Sequence, residues 1–461
     1  MMSVREAAAA VQGDYAGPDF RFTGVSTDSR SVGPGDLFVA LVGERFDAHD
    51  FIDEAKNRGA AAALVSREFS RERADTGIPL IRVKDTRHGL GKLAAHWRTR
   101  FSLPVIAVTG SNGKTTVKEM IAAILRHAIG GEKQPDGRDR DSILVTEGNL
   151  NNDVGMPLML LRLREWHCQA VMEMGMNHPG EISYLTRLAK PDIAVITNAG
   201  IAHLEGLGSV EAVARAKGEI FEGLNVAGIA VINADDEHAA MWRALAGDRS
   251  RIEFGLRTSA DGVTARYELD FFGARLIMTL PDGIEETELR VPGVHNVRNA
   301  LAAAAVATAM GICKTDIARG LNQFGGVKGR MQKKPALHGA TLIDDTYNAN
   351  PESVRAAIDV LAGAPGKKIF VLGDMGELGE RAASLHEQIG AESRSAGIDK
   401  LFALGELSRH SAASFGRGAR HCASMEELIS EVAALLAPGV TLLVKGSRFM
   451  KMERLVKSVE S

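Results

Sequence analysis

The segment VIAVTGSNGKTTVKEM, Val105 to Met120, constrains this chain more than any other. Val105 to Val108 is mostly β-branched and reads as a buried strand, whereas from Thr115 the apolar residues Val117, Ile121, Ile124 and Leu125 recur at helical spacing. Gly110, Ser111, Asn112 and Gly113 therefore fall in a strand-to-helix turn. Free N–H groups and the positive dipole end of a helix face such a turn, which suits an anion. Lys114 adds a mobile cation, and Thr115 or Thr116 a hydroxyl for Mg²⁺. A glycine turn with a solvated lysine is the plain alternative; the clustering favours a nucleotide phosphate loop. The spacing G-x-x-G-K-T-T is two residues shorter than the general G-x-x-x-x-G-K-[ST] pattern.

The 461 residues suit about three units. Residues 1–102 mix short strands (LFVAL, AAALVS, LIRV) with helical segments, as in a small α/β domain. Pro104 opens the next unit, 103–323, where AVMEM, IAVITN and GIAVIN follow the phosphate-loop strand at βαβ spacing and predict a parallel sheet. Within it, residues 267–291 read as an antiparallel addition around a Pro-Asp-Gly turn, before an alanine-rich helix at 296–311. FGGVKGR (324–330) marks the last boundary, and 324–461 alternates strands and helices as a doubly wound, Rossmann-like α/β unit. It has no G-x-G-x-x-G after a strand, so no dinucleotide is expected. No short-period repeat supports a solenoid.

A net charge of −3 gives no global field for nucleic acid or an anionic membrane, and no apolar run approaches a membrane span. The 130–142 segment balances acids and bases and reads as a polar loop rather than a nucleic-acid arm. Three scattered cysteines signal neither zinc nor a disulfide framework. The N-terminal alanine run carries Arg5 and Glu6 and reads as a short helix, not a signal peptide. These features predict a cytoplasmic protein.

Phosphoryl chemistry needs hard oxygen ligands for Mg²⁺ near the loop. Glu173 ends the AVMEM strand, at the sheet edge where the phosphate loop lies, and is a metal candidate; a surface glutamate is the alternative. His203, in the loop after another strand, is a second-metal candidate or a solvated side chain. Spacing alone makes no functional claim for Lys217. Asn296 and Asn299 open the alanine-rich helix and suit either caps or, through their amides, an adenine edge. IDDTYNANPESV ends a strand in a polar cluster holding Asp344, Asp345, Tyr347, Asn348 and Asn350, which suits a site or a capped loop. Arg330, at the unit boundary, can reach a phosphate across a cleft. KGSR (445–448) offers Lys445, Ser447 and Arg448 to an anion.

Together these segments resemble the Mur ligases, the ATP-dependent amide-forming enzymes of peptidoglycan synthesis, over essentially the whole chain. That family has the short phosphate loop. STDSRSVGPGDLFVAL (26–41), EGNLNNDVGMP (147–157), EMGMNHPGEI (173–182), DDTYNANP (344–351) and VLGDMGELG (371–379) are similar to the member that joins D-alanyl-D-alanine to UDP-N-acetylmuramoyl-tripeptide. The resemblance implies that Lys114 and the loop amides hold the ATP phosphates, and that Thr115, Glu173 and His203 attend two Mg²⁺ ions. It implies that Lys217 is carbamylated and holds metal too. It further assigns Asn299 to adenine, with Asn296 beside it, Asp345 to ribose, and Arg330 to the γ-phosphate. Asn348 and Asn350 would line the acceptor side. Thr27, Ser29 and Arg30 would meet the uridine diphosphate, with Asn149, Asn151 and Asn152 nearer the muramoyl peptide. A monomer is expected. Two rivals stand beside this reading: another amide ligase of the superfamily, such as the diaminopimelate-adding ligase or folylpolyglutamate synthase, and a regulatory phosphate-loop NTPase. The chain lacks the D-N-P-R motif of the diaminopimelate-adding ligase and the N-K-x-D motif of a GTPase.

Overall fold

Strand Val105–Thr109 lies at the middle of a six-stranded sheet, and its side chains divide between two cores. Val105 and Ala107 point into one apolar cluster, Ile106 and Val108 into the other. This is the period of two that a strand imposes, with both faces covered by helices. In this computed structural model, residues 1–15, 17–43, 46–69, 77–129, 141–201, 204–257 and 262–461 are described.

The central sheet runs, edge to edge, Ser250–Phe254, Ile229–Asn233, Ile193–Ile196, Val105–Thr109, Gln169–Glu173 and Ile143–Val145, all parallel. The chain leaves Val105–Thr109 toward one edge and later crosses to its other side, so the strand order reverses there. Register pairs Val108 with Glu173 and Thr109 with Ile196. Three strands thus end together, and the loops that follow them share one crevice, the usual ligand position in an open α/β sheet.

Before this sheet lies a five-stranded one, ordered Asp14–Tyr15, Leu80–Val83, Ala62–Ser66, Leu37–Val39, Val25–Ser26, with only Asp14–Tyr15 antiparallel. Its helix Thr86–Arg98 shares a core with the central unit: Trp97 packs in the same cluster as Met159 and Leu163, and its indole N–H donates to the Leu163 carbonyl at 3.1 Å. The antiparallel addition has three strands, Thr264–Leu269, Ala274–Leu280 and Gly283–Leu289. It packs with helices Val294–Ala309 and Lys314–Gln323 against the phosphate-loop helix, Lys114–Ala128.

The last sheet is ordered Gln332–Pro335, Thr341–Asp345, Val440–Lys445, Lys367–Gly373, Lys400–Leu404, Ala419–Cys422. Its strands are parallel except for Gln332–Pro335. Leu342, Ile369 and Leu442 face one core; Ile343, Phe370 and Leu443 face the other. The molecule is therefore α/β, with three main sheets in chain order. Polar Gln-Lys-Lys-Pro gives no strand signal, yet an edge strand tolerates charge and proline because one side needs no partner.

Candidate active site

The phosphate loop is held open by its two glycines. Gly110 has φ +151° and Gly113 φ +83°, both in the region that favours glycine. A Cβ on Gly110 would stand 1.8 Å from Thr197 Oγ1, and one on Gly113 2.3 Å from Asn299 Oδ1. The loop is braced from the neighbouring strand end. Ser111 N–H donates to the Asn198 carbonyl (2.9 Å), Asn112 N–H to Asn198 Oδ1 (2.9 Å), and Thr197 Oγ1 to the Asn112 carbonyl (2.6 Å). Lys114 opens the helix and folds its ammonium back onto the Gly110 carbonyl (2.7 Å). Desolvation lowers its pKa, opposed by Glu173 and aided by Arg330.

Glu173 is 2% exposed and accepts from two neutral donors, Thr115 Oγ1 (2.9 Å) and Asn151 Nδ2 (2.8 Å). Its own N–H donates to Thr146 Oγ1, which fixes the strand end. Thr115 Oγ1 in turn accepts from Arg330 Nη2 at 2.9 Å. That guanidinium comes from the far side of the cleft, lies 4.2 Å over the Tyr347 ring, and keeps a buried Nε without a partner. A carboxylate, a hydroxyl and a guanidinium thus converge at the first turn of the phosphate-loop helix.

Lys217, in helix Val210–Gly218, is 1% exposed. No hydrogen bond or ion pair reaches its ammonium among the described residues. Desolvation first, and then Lys114, lower its pKa well below the ordinary 10.5. Such an amine is held toward its neutral, nucleophilic form. His203 lies outside the described residues.

Asp345 and Lys445 stand opposite each other in register on adjacent strands, and their side chains meet at 2.6 Å. Asp345 also accepts from Met331 N–H (3.1 Å); burial raises its carboxyl pKa and Lys445 opposes this. Asn350 caps helix Pro351–Ala362 in a reciprocal box with Ser353, and its Nδ2 donates to Asn112 Oδ1 (2.8 Å). Asn348 Oδ1 accepts from Ala349 N–H (2.9 Å).

Most of these residues line one cleft of about 1310 Å³; Gly110, Thr115 and Lys217 lie behind its wall rather than in it. It gathers Ser111 to Lys114, Thr116, Asn149, Asn151, Asn152, Glu173, Asn296, Asn299, Arg330, Asp345, Asn348 and Asn350, all singled out from the sequence. Asn296 and Asn299 are not caps. The helix starts at Val294, and the two amides bond to the Pro292 carbonyl and to each other, leaving the Asn299 oxygen beside Gly113. Asn152 Oδ1 accepts from Gly155 N–H (2.8 Å), just ahead of helix Gly155–Leu160, whose N-cap position is Val154. Thr27, Ser29 and Arg30 do not line the cleft. Ser29 is turned onto Glu54 (3.0 Å) and Arg30 lies on Asp28 (2.8 Å).

Sequence reading missed Glu352 and His295 as cleft residues, whereas Tyr347 of the 343–354 cluster does line the cleft. Glu352 follows the proline of the capping box and looks like an ordinary first-turn acid. His295 had no signal; burial drives its pKa down to about 4, with Lys445 and Arg298 adding to the effect.

Fold and cleft together define an α/β phosphate-loop enzyme in which loops from the central and last sheets line one cleft. Sequence comparison gives the family. Residues 21–98 match the Mur ligase family catalytic domain, 108–307 the Mur ligase middle domain, and 329–448 the Mur ligase glutamate ligase domain. The chain is 42% identical over 453 residues to the UDP-N-acetylmuramoyl-tripeptide–D-alanyl-D-alanine ligase of Escherichia coli K12, covering 98% of this chain and 96% of that one. A crystal structure of MurF from Acinetobacter baumannii superposes with a TM-score of 0.89 at 37% identity, covering 99% and 98% of the two chains. The MurF ligase of Thermotoga maritima in complex with ADP gives a TM-score of 0.80 at 30% identity, covering 94% and 96%. This chain belongs to the Mur ligase family. Among the described residues, no helix is long and apolar enough to cross a membrane.

Proposed function

We propose that this Mur ligase joins D-alanyl-D-alanine to UDP-N-acetylmuramoyl-tripeptide, consuming ATP and releasing ADP and phosphate. The observation that carries the proposal is Thr115, whose hydroxyl is held at 2.9 Å by both Glu173 and Arg330 at the mouth of the phosphate loop. Full-length similarity to ligases named for those substrates supports the choice within the family.

A carboxylate is a poor acylating agent because oxide is a poor leaving group. A tripeptide carboxylate oxygen attacks the γ-phosphorus, the bond to the β-phosphate oxygen breaks, and ADP leaves. The dipeptide amine then attacks the acyl phosphate carbonyl, the carbon–oxygen bond to phosphate breaks, and the amine gives up its proton. The protein supplies position and charge neutralisation. The loop amides and Lys114 hold the β- and γ-phosphates, and Arg330 answers the γ-phosphate with its unpaired Nε. Asn299, with Asn296 behind it, meets adenine; Asp345 accepts from the ribose hydroxyls.

Glu173 and Thr115 fit Mg²⁺: they are hard oxygen donors 2.9 Å apart, beside the phosphates that complete such a site. Held by Glu173 and Thr115, Mg²⁺ would supply positive charge to offset that of the phosphates as an anionic nucleophile approaches. Lys217 fits carbamylation, because a neutral buried amine combines with CO₂ to give a carboxylate on a long arm. With His203, it would attend the second ion.

The units 1–102, 103–323 and 324–461 divide the ligands. The first takes the uridine diphosphate at Thr27, Ser29 and Arg30. Drawing Arg30 off Asp28 costs little, since both groups are solvent-exposed and water screens the pair. Asn149, Asn151 and Asn152 lie nearer the muramoyl peptide, and Asn348 and Asn350 on the acceptor side. The enzyme acts in the cytoplasm as a monomer. Phosphate release should require ATP, the tripeptide nucleotide and D-alanyl-D-alanine together. Release indifferent to both co-substrates would instead favour a regulatory NTPase.

A further inference from the structure

Besides the Arg330–Thr115 bond, the phosphate loop is grasped from the far side of the cleft at Asn112. Asn112 offers both ends of its amide: Oδ1 accepts from Asn350 Nδ2 (2.8 Å), and Nδ2 donates to Glu352 Oε2 (3.0 Å). The second carboxylate oxygen of Glu352 accepts from Ile201 N–H (2.9 Å), in the loop after strand Ile193–Ile196. Gly200 makes room: a Cβ there would stand 1.9 Å from Glu352 Oε2. Asn350 and Glu352 are held firmly, because the Asn350–Ser353 capping box and Pro351 fix the start of their helix. Asn112 is equally fixed, through its backbone bonds to Asn198 and Thr197. A second contact lies apart from this one: Lys333 sits 5.7 Å and 5.5 Å from the Phe271 and Phe272 rings, across the same pair of units. Between the units runs the glycine-rich 324–330 segment, with positive φ at Gly326 and Gly329.

We infer that Asn350 and Glu352 form a docking latch that seats the C-terminal unit on the phosphate loop through Asn112. The three bonds hold the strand end carrying Asp345, Tyr347 and Asn348 in line with the loop. Glu352 is a positioning residue: it acts through Asn112 and Ile201. Resting on the ligase reading above, the latch has a chemical consequence. A loose C-terminal unit admits water, and water competes with the dipeptide amine for the acyl phosphate.

Donor and acceptor pattern supplies the test, made on the full chain. Glu352→Gln sets its amide N–H against that of Asn112; Asn112→Asp sets a carboxylate against that of Glu352. The pair Asn112→Asp/Glu352→Gln exchanges the two groups and rebuilds all three bonds. Amide exchange at Ile201, read by hydrogen–deuterium exchange, should quicken about tenfold in each single variant and return in the double. Phosphate released per amide bond formed should exceed one in the single variants and fall back toward one in the double. Slow exchange and a ratio of one in both single variants would overturn the latch, as would failure of the double variant to restore either. If the unaltered protein forms no amide bond, the ligase reading fails, while the exchange measurement still judges the latch.

Discussion

Arg330 and Thr115 lie 215 residues apart in the chain and meet at one hydrogen bond of 2.9 Å, which ties the start of the C-terminal unit to the first turn of the phosphate-loop helix. Arg330→Ala should lower kcat about a hundredfold, the usual effect of losing one charge-stabilising donor, with little change in KM for the tripeptide nucleotide. Arg330→Lys should not restore the rate. A lysine cannot lie flat over Tyr347, as the guanidinium does at 4.2 Å, and still reach Thr115. Steady-state kinetics with a wild-type rate for the lysine variant would contradict this role.

Glu173 is buried with one donor on each oxygen. Glu173→Gln removes the charge and turns an amide N–H toward either Thr115 or Asn151. The Mg²⁺ concentration giving half-maximal rate should rise at least about tenfold, as one of few protein ligands is weakened. A magnesium titration that superposes on the unaltered enzyme would remove Glu173 from the metal site.

Lys217 gives a signed pH prediction. Its amine is harder to protonate in the folded chain than in the unfolded one. The folded state therefore binds fewer protons between that depressed pKa and 10.5, and stability rises with pH across this window. It is lost as pH falls through the window. Denaturant titrations of Lys217→Met should show a shallower slope there. Isotopically labelled bicarbonate should also give one carbamate carbon resonance, absent from Lys217→Met. An unchanged slope and no resonance would leave Lys217 a packing residue.

Gly110→Ala adds a methyl 1.8 Å from Thr197 Oγ1 at a φ of +151°. Strain of about 1–3 kcal/mol is expected, with loss of ATP binding because the loop must shift. Calorimetric ATP titration and thermal unfolding measure both. Normal affinity would show that the loop tolerates a side chain where the geometry leaves none.

The loop and its strand were legible because a β-branched run, two glycines and helical periodicity sit side by side in fewer than twenty residues. The same holds for the parallel strands, whose apolar runs are buried on both faces. Most polar candidates do reach the cleft, since strand ends in register put Glu173 and Thr197 beside Gly110. What was not legible depends on contacts far apart in sequence. Asp345 reads as a free carboxylate until Lys445 is seen opposite it, 100 residues on. Glu352 reads as a helix-start acid until Asn112 and Ile201 are seen across the cleft. Asn296 and Asn299 suit either caps or an adenine edge in the sequence; only the structure, with Gly293 just ahead of a helix that begins at Val294, shows that neither caps it.

The most direct test follows one oxygen atom. With the tripeptide's terminal carboxylate carrying a heavy-oxygen label, turnover with ATP and D-alanyl-D-alanine should deliver one labelled oxygen into each phosphate released, because that oxygen attacks phosphorus and departs with it. Phosphate free of label, with amide product formed, would contradict activation of the carboxylate by phosphorylation at the loop of Lys114 and Thr115, opposite Arg330.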